Sequence, residues 1–135
     1  MNTKTVDDDM KLSGRQDRPK MILVVDDNAK VASMIVTSLR RLGHSHVEIV
    51  CGGKEALASV ARIRPDLVIV DIEMPGMDGI ETARRLKQSH PCSIIFSTGL
   101  WDSETLRRSR EIPASLYLVK PFSPAQLQAA IHLAN

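Results

Sequence analysis

The chain has 135 residues, which suits one compact domain and leaves no room for a second of ordinary size. A formal charge of +2 with one Trp, one Tyr and two Phe gives neither the basic footprint nor the stacking platforms of a nucleic-acid binder. Cys51 and Cys92 stand without CxxC spacing, which favours a reducing compartment over a disulfide framework. No apolar run approaches the roughly 20 residues of a membrane span, and the polar N-terminus is no signal peptide. The expectation is a soluble, cytoplasmic protein.

Residues 1–20 are polar, mixed in charge and without periodicity, and read as a flexible tail. Its Asp7, Asp8 and Asp9 fit a solvated charge run better than a metal site. Residues 21–135 alternate short apolar runs with helical patterns and form the predicted domain. Met21–Val25 is a strand-length apolar run, suited to a parallel sheet covered on both faces. Asn28 then caps a helix whose predicted inward face is Val31, Met34, Ile35, Leu39 and Leu42, stopped by Gly43.

The alternation continues: a strand over Val47–Val50, then a helix over Lys54–Arg64 with Leu57, Val60 and Ala61 inward. Leu67–Val70 is a third strand, and Asp78 with Glu81 has capping-box spacing for a helix running to about Gln88. Ser93–Ser97 is a fourth strand, followed by a helix over Ser103–Glu111 that Pro113 should shorten or stiffen at its end. Ser115–Val119 is a fifth strand. Ser123, Pro124 and Gln126 open a last helix with Leu127, Ala130, Ile131 and Ala134 inward. Five strands alternating with five helices predict an α/β, flavodoxin-like, doubly wound parallel sheet in the order 2-1-3-4-5.

In such a sheet the ligand side lies beyond the carboxyl ends of the strands. There the sequence puts Asp26 and Asp27, then Asp71, then Thr98, then Lys120. Two unit charges 4 Å apart repel by about 4 kcal/mol at an effective dielectric of about 20. Clustered carboxylates therefore call for a divalent cation, and an all-oxygen site suits Mg2+.

Four segments stand at successive strand ends: VVDD at 24–27, DIEMPGMDG at 71–79, FSTG at 96–99 and YLVKPF at 117–122. Together they resemble the receiver domains of two-component signalling, including the stand-alone chemotaxis type, from about residue 20 to the C-terminus. The resemblance implies that Asp71 is the phosphoacceptor, taking a phosphoryl group from a sensor histidine kinase, a histidine phosphotransfer protein or a small phosphodonor. It implies that Asp27 binds Mg2+ directly, Asp26 largely through water, and the backbone carbonyl of Glu73 as a further ligand beside Asp71. Lys120 and Thr98 would contact phosphoryl oxygens, with Lys120–Pro121 as a cis peptide. Thr98 and Tyr117 would form the switch that repacks the surface of the fourth helix, fifth strand and fifth helix. Glu73 and Leu100 occupy positions that flank the path of the hydrolytic water and become candidates for tuning phosphoryl lifetime.

Other features have plainer readings. Trp101 suits a partly exposed packing residue, and Arg107, Arg108 and Arg110 suit a solvated helix with Glu104–Arg108 and Arg107–Glu111 pairs rather than a ligand site. His44, His46, His90 and Cys92 assemble no tetrahedral set. A phosphatase of the haloacid dehalogenase type would also use a Mg2+-bound aspartate, but it wants a second aspartate where Glu73 stands. The expected function is thus a single-domain response regulator, not a multiple-turnover enzyme. It would signal to an unidentified protein partner without direct DNA binding or membrane insertion; a phosphorylation-dependent homodimer is left open.

Overall fold

The computed structural model describes residues 19–99, 102–113 and 115–134. Residues 1–18 of the proposed tail, Leu100 and Trp101 lie outside the described residues. Five strands, β1 (Ile22–Val25), β2 (Val47–Val50), β3 (Leu67–Asp71), β4 (Ser93–Thr98) and β5 (Leu116–Val119), form one sheet. Its order is β2-β1-β3-β4-β5, and every neighbouring pair is parallel. The helices between and after them are α1 (Ala29–Arg41), α2 (Gly53–Ile63), α3 (Gly79–Ser89), α4 (Ser103–Ser109) and α5 (Pro124–Ala134). This is the flavodoxin-like arrangement that the alternation of apolar runs predicts. Among the described residues no helix is long and apolar enough to cross a membrane.

Period-two alternation splits the strands between two cores, as a sheet covered on both faces requires. Leu23, Val25, Val68, Val70, Ile94 and Phe96 pack with Ala56, Val60, Ile80, Ala83 and Leu86 from α2 and α3. Ile22, Val24, Leu67, Ile69, Ile95 and Leu118 pack on the other face with residues of α1 and α5. The central strands are therefore buried throughout β1 and β3 and from Ile94 onward in β4. Only the ends of the sheet can carry chemistry.

Local signals set most helix ends. The Asn28 carboxamide accepts a hydrogen bond from the Val31 N–H at 3.1 Å. At the other end of α1, Gly43 takes φ +99°, the Gly43 N–H reaches the Arg40 carbonyl and the His44 N–H reaches that of Leu39. That pair of bonds is a Schellman closure and explains the glycine. Ser123 and Gln126 complete the capping box of α5 in both directions, at 3.1 and 2.8 Å. The box at α3 is half made: Asp78 accepts from the Glu81 N–H, but the Glu81 carboxylate turns to Arg84 and Arg85.

Three side-chain expectations need correction. Met34 is 62% exposed, because α1 buries the stripe Ala32, Ile35, Val36 and Leu39, one residue (about 100°) away from it. Ala61 is also exposed, because α2 buries Gly53, Ala56, Val60 and Ile63, with Leu57 only partly covered. The Glu104–Arg108 pair does not form. Glu104 instead holds Arg107, while Arg108 crosses to the Asp78 carboxylate at the head of α3, 2.7 Å away. Arg107 does approach Glu111, at 3.7 Å, and Glu111 also binds Arg84 of α3. Helix α4 stops at Ser109, short of Glu111, and the chain turns so that Ile112 enters the core ahead of Pro113.

One glycine ties the fold to the strand-end rim. The Gly79 N–H donates to the Ile72 carbonyl at 3.0 Å, pressing the start of α3 against the backbone that leaves β3. A Cβ there would overlap the Asp71 carbonyl oxygen and sit 2.8 Å from the Ile72 Cα. Backbone on both sides has no free rotamer with which to yield. Gly79→Ala should therefore destabilise the domain by about 2 kcal/mol in urea unfolding. A change below about 0.5 kcal/mol, the range of ordinary surface substitutions, would contradict this packing.

Candidate functional site

Backbone hydrogen bonds carry the sheet one residue past its strands and so fix the rim. The Asp26 N–H donates to the Val50 carbonyl, Ile72 to Ser97 and Lys120 to Thr98, at 3.2, 3.0 and 2.8 Å. Register does the rest: Asp71 pairs with Ser97, and Thr98 with Val119. The residues that close β1, β3, β4 and β5 therefore converge at one end of the sheet.

The convergence is close. Carboxylate oxygens of Asp26, Asp27 and Asp71 all lie within 4.8 Å of one another. Asp26 and Asp71 are buried, and Asp27 is exposed. The Lys120 ammonium stands 3.3 Å from Asp71 Oδ1 and 3.6 Å from Asp26 Oδ2, bridging the two buried charges. Backbone N–H groups of Asn28 and Glu73 donate to Asp26 Oδ1 and Asp71 Oδ1, at 2.9 and 3.3 Å. The Lys120–Pro121 peptide is cis, as the resemblance implies.

These contacts leave the cluster under-neutralised. Burial, above all, pushes the Asp71 carboxyl from its ordinary 3.8 up to about 6. Lys120 opposes the rise, and Asp26 and Glu73 add to it. Asp26 Oδ2 is buried with no hydrogen-bond donor, since Lys120 lies beyond hydrogen-bonding distance at 3.6 Å. A buried carboxylate oxygen facing two other carboxylates, in an all-oxygen setting, fits a hard divalent cation.

The remaining predicted residues fall around this cluster. Thr98 is fully buried. Tyr117 is half-buried on β5, its ring stacked on Phe96 with centroids 5.8 Å apart and its hydroxyl 3.1 Å from Ser115 Oγ. Phe96 and Thr98, two residues apart on β4, share a face, so Tyr117 lies on the side of the sheet to which Thr98 belongs. The Glu73 side chain accepts hydrogen bonds from the Thr98 hydroxyl and, at 3.1 Å, from the Gly99 N–H. Sequence reasoning placed Glu73 beside the site but missed this bridge and the part played by Gly99. The available signal was the reach of a glutamate two residues past a strand end, facing a strand that ends Thr-Gly.

Because folding raises the Asp71 pKa, its contribution to stability is fully present below 3.8 and lost as pH rises through about 6. In metal-free buffer Asp71→Asn should therefore be the more stable protein at pH 7.5, by about 1 kcal/mol or about 4 °C in Tm. The advantage should shrink toward pH 4 in thermal unfolding with a chelator present. A less stable variant, or a difference independent of pH, would contradict the assignment.

Comparison with known proteins agrees with this geometry. The family model described as the response regulator receiver domain matches residues 22–132. The chain is 37% identical over 110 residues to the DNA-binding response regulator MtrA of Mycobacterium tuberculosis, covering 82% of this chain and 48% of that protein. It is 34% identical over 116 residues to the transcriptional regulatory protein PdtaR of the same organism, covering 86% and 57%. The chain thus spans about half the length of the curated relatives it matches. Among solved structures, the chemotaxis protein CheY4 of Vibrio cholerae superposes with a TM-score of 0.78 at 28% identity, over 87% of this chain and 100% of that one. The signal receiver domain of a modulated diguanylate cyclase from Desulfovibrio desulfuricans gives 0.80 at 34% identity, over 87% and 94%. With sequence and fold in agreement across the whole sheet, this chain belongs to the response regulator receiver domain family of two-component signalling.

Proposed function

We propose that Asp71 is the phosphoacceptor of a response regulator that works in the cytoplasm, charged by a sensor histidine kinase or a histidine phosphotransfer protein. The observation that carries this reading is the Asp71 carboxylate held between Lys120 at 3.3 Å and the Asp26–Asp27 pair. An Asp71 oxygen attacks the phosphorus of the donor, the phosphorus–nitrogen bond breaks, and the departing imidazole keeps or takes a proton. The product is an acyl phosphate. Phosphoryl transfer of this kind depends mainly on positioning and on neutralising charge.

Asp27 and Asp71 would ligate Mg2+ directly, Asp26 largely through water, and the Glu73 backbone carbonyl would complete the protein's share. When bound, the ion neutralises charge on the phosphoryl oxygens and on the carboxylates. Lys120 keeps Asp71 oriented through their ion pair and then follows the new negative charge. Thr98 donates its hydroxyl to a phosphoryl oxygen, and Tyr117 responds on the same side of the sheet. The readout is a change in the surface of α4, β5 and α5, where Val119 is already half exposed, read by a protein partner.

The chain is proposed as a phosphoacceptor that labels and dephosphorylates itself, not as an enzyme with many turnovers. Incubation with acetyl phosphate and Mg2+ should add one phosphoryl group per chain, seen as about 80 Da in intact mass spectrometry. Asp71→Asn or chelation of the metal should abolish the adduct. Labelling that persists in Asp71→Asn, or sustained hydrolysis of phosphomonoesters, would sink the proposal.

A further inference from the structure

Glu73 does something at the rim that the phosphoacceptor reading does not require. Its carboxylate spans two neighbouring donors at the end of β4, the Thr98 hydroxyl and the Gly99 N–H. Its own N–H is anchored to Asp71 Oδ1 at 3.3 Å, so the side chain springs from beside the proposed nucleophile. The Thr98 side chain is fully buried, and its hydroxyl is committed to this carboxylate. A pair of donors on one strand end, both bound to one two-oxygen anion, is a small anion site. Its present occupant belongs to the chain itself.

A phosphoryl group on Asp71 offers oxygens with nearly the spacing of a carboxylate's and seeks donors of the same kind. Charge sets the direction of exchange. Glu73 already adds a fourth carboxylate to a rim shared by Asp26, Asp27 and Asp71, and it contributes to the crowding felt by Asp71. A doubly charged newcomer raises that repulsion further, and Glu73 is exposed, with water open to it.

We propose that the Glu73 carboxylate is an internal stand-in for the phosphoryl group, holding Thr98 and Gly99 until phosphorylation displaces it into solvent. This rests on Asp71 being the phosphoacceptor. Two consequences follow from the competition. The phosphate-free protein keeps the Thr98 hydroxyl and the Gly99 N–H satisfied and aimed at the rim. And phosphorylation must break the Glu73 bonds before it gains those donors, so Glu73 sets the affinity of the acceptor for its cargo.

The test uses beryllofluoride, a mimic of the phosphoryl group, titrated calorimetrically at saturating Mg2+ into the wild type, Glu73→Ala, Glu73→Gln and Asp71→Asn. Removing the stand-in should tighten mimic binding by about tenfold in Glu73→Ala and about threefold in Glu73→Gln, which keeps one acceptor but loses the charge. Hydrogen exchange of the Gly99 amide should be about fivefold faster in mimic-free Glu73→Ala than in the wild type, and should slow again when the mimic binds. Equal or weaker binding in both Glu73 variants, or unchanged Gly99 exchange, would overturn the stand-in while leaving the phosphoacceptor intact. A wild type that binds no mimic, or binds it as Asp71→Asn does, would instead overturn the phosphoacceptor reading.

Discussion

Two buried carboxylates, Asp26 and Asp71, share one ammonium, and the rest of the site follows from that imbalance. One positive charge cannot neutralise two buried negative ones, and Asp27 adds a third at the rim. The protein tolerates the excess because the carboxylates stand at the end of the sheet and not within it. There backbone amides of Asn28 and Glu73 supply partial compensation, and the three clustered carboxylates suit a hard cation. Burial above all, opposed by Lys120 and reinforced by the Asp26 and Glu73 charges, makes Asp71 a basic carboxylate, pushed up to about 6.

Rigid backbone makes this arrangement reproducible. The bonds Asp26 to Val50, Ile72 to Ser97 and Lys120 to Thr98 continue the sheet's ladder to the residues that carry charge. On the loop side Gly79 lets α3 start against the Asp71 carbonyl, and Asp78 caps that helix while binding Arg108 of α4. The loop after β3 and the helix after β4 are therefore joined by an ion pair as well as through the sheet.

The sequence was informative wherever a residue's role follows from its distance to a strand end. Asp26, Asp71, Thr98 and Lys120 each close or follow a strand, so the parallel sheet alone brings them together. Asn28, Gly43 and the Ser123–Gln126 box were legible because capping depends on neighbours in the chain. Facts that depend on which face of a helix meets the sheet were harder. Met34 and Ala61 are apolar and close to the buried stripes, and only packing shows that they fall outside them. Arg108 illustrates a different limit. Its i,i+4 partner was visible in the sequence, whereas its actual partner, Asp78, caps the head of another helix. The grip of Glu73 on Thr98 and Gly99 likewise joins the loop after β3 to the end of β4, across 25 and 26 residues of chain.

The atom that receives the phosphoryl group decides the chemistry of the rim. An acyl phosphate is reduced by borohydride to an alcohol, which marks its position permanently, whereas a phosphohistidine is not. After treatment with acetyl phosphate and Mg2+, borohydride reduction and peptide mass spectrometry should locate homoserine at position 71 and at no other aspartate. A mark at Asp26 or Asp27, or a phosphoryl group retained on a histidine with position 71 unaltered, would contradict the account.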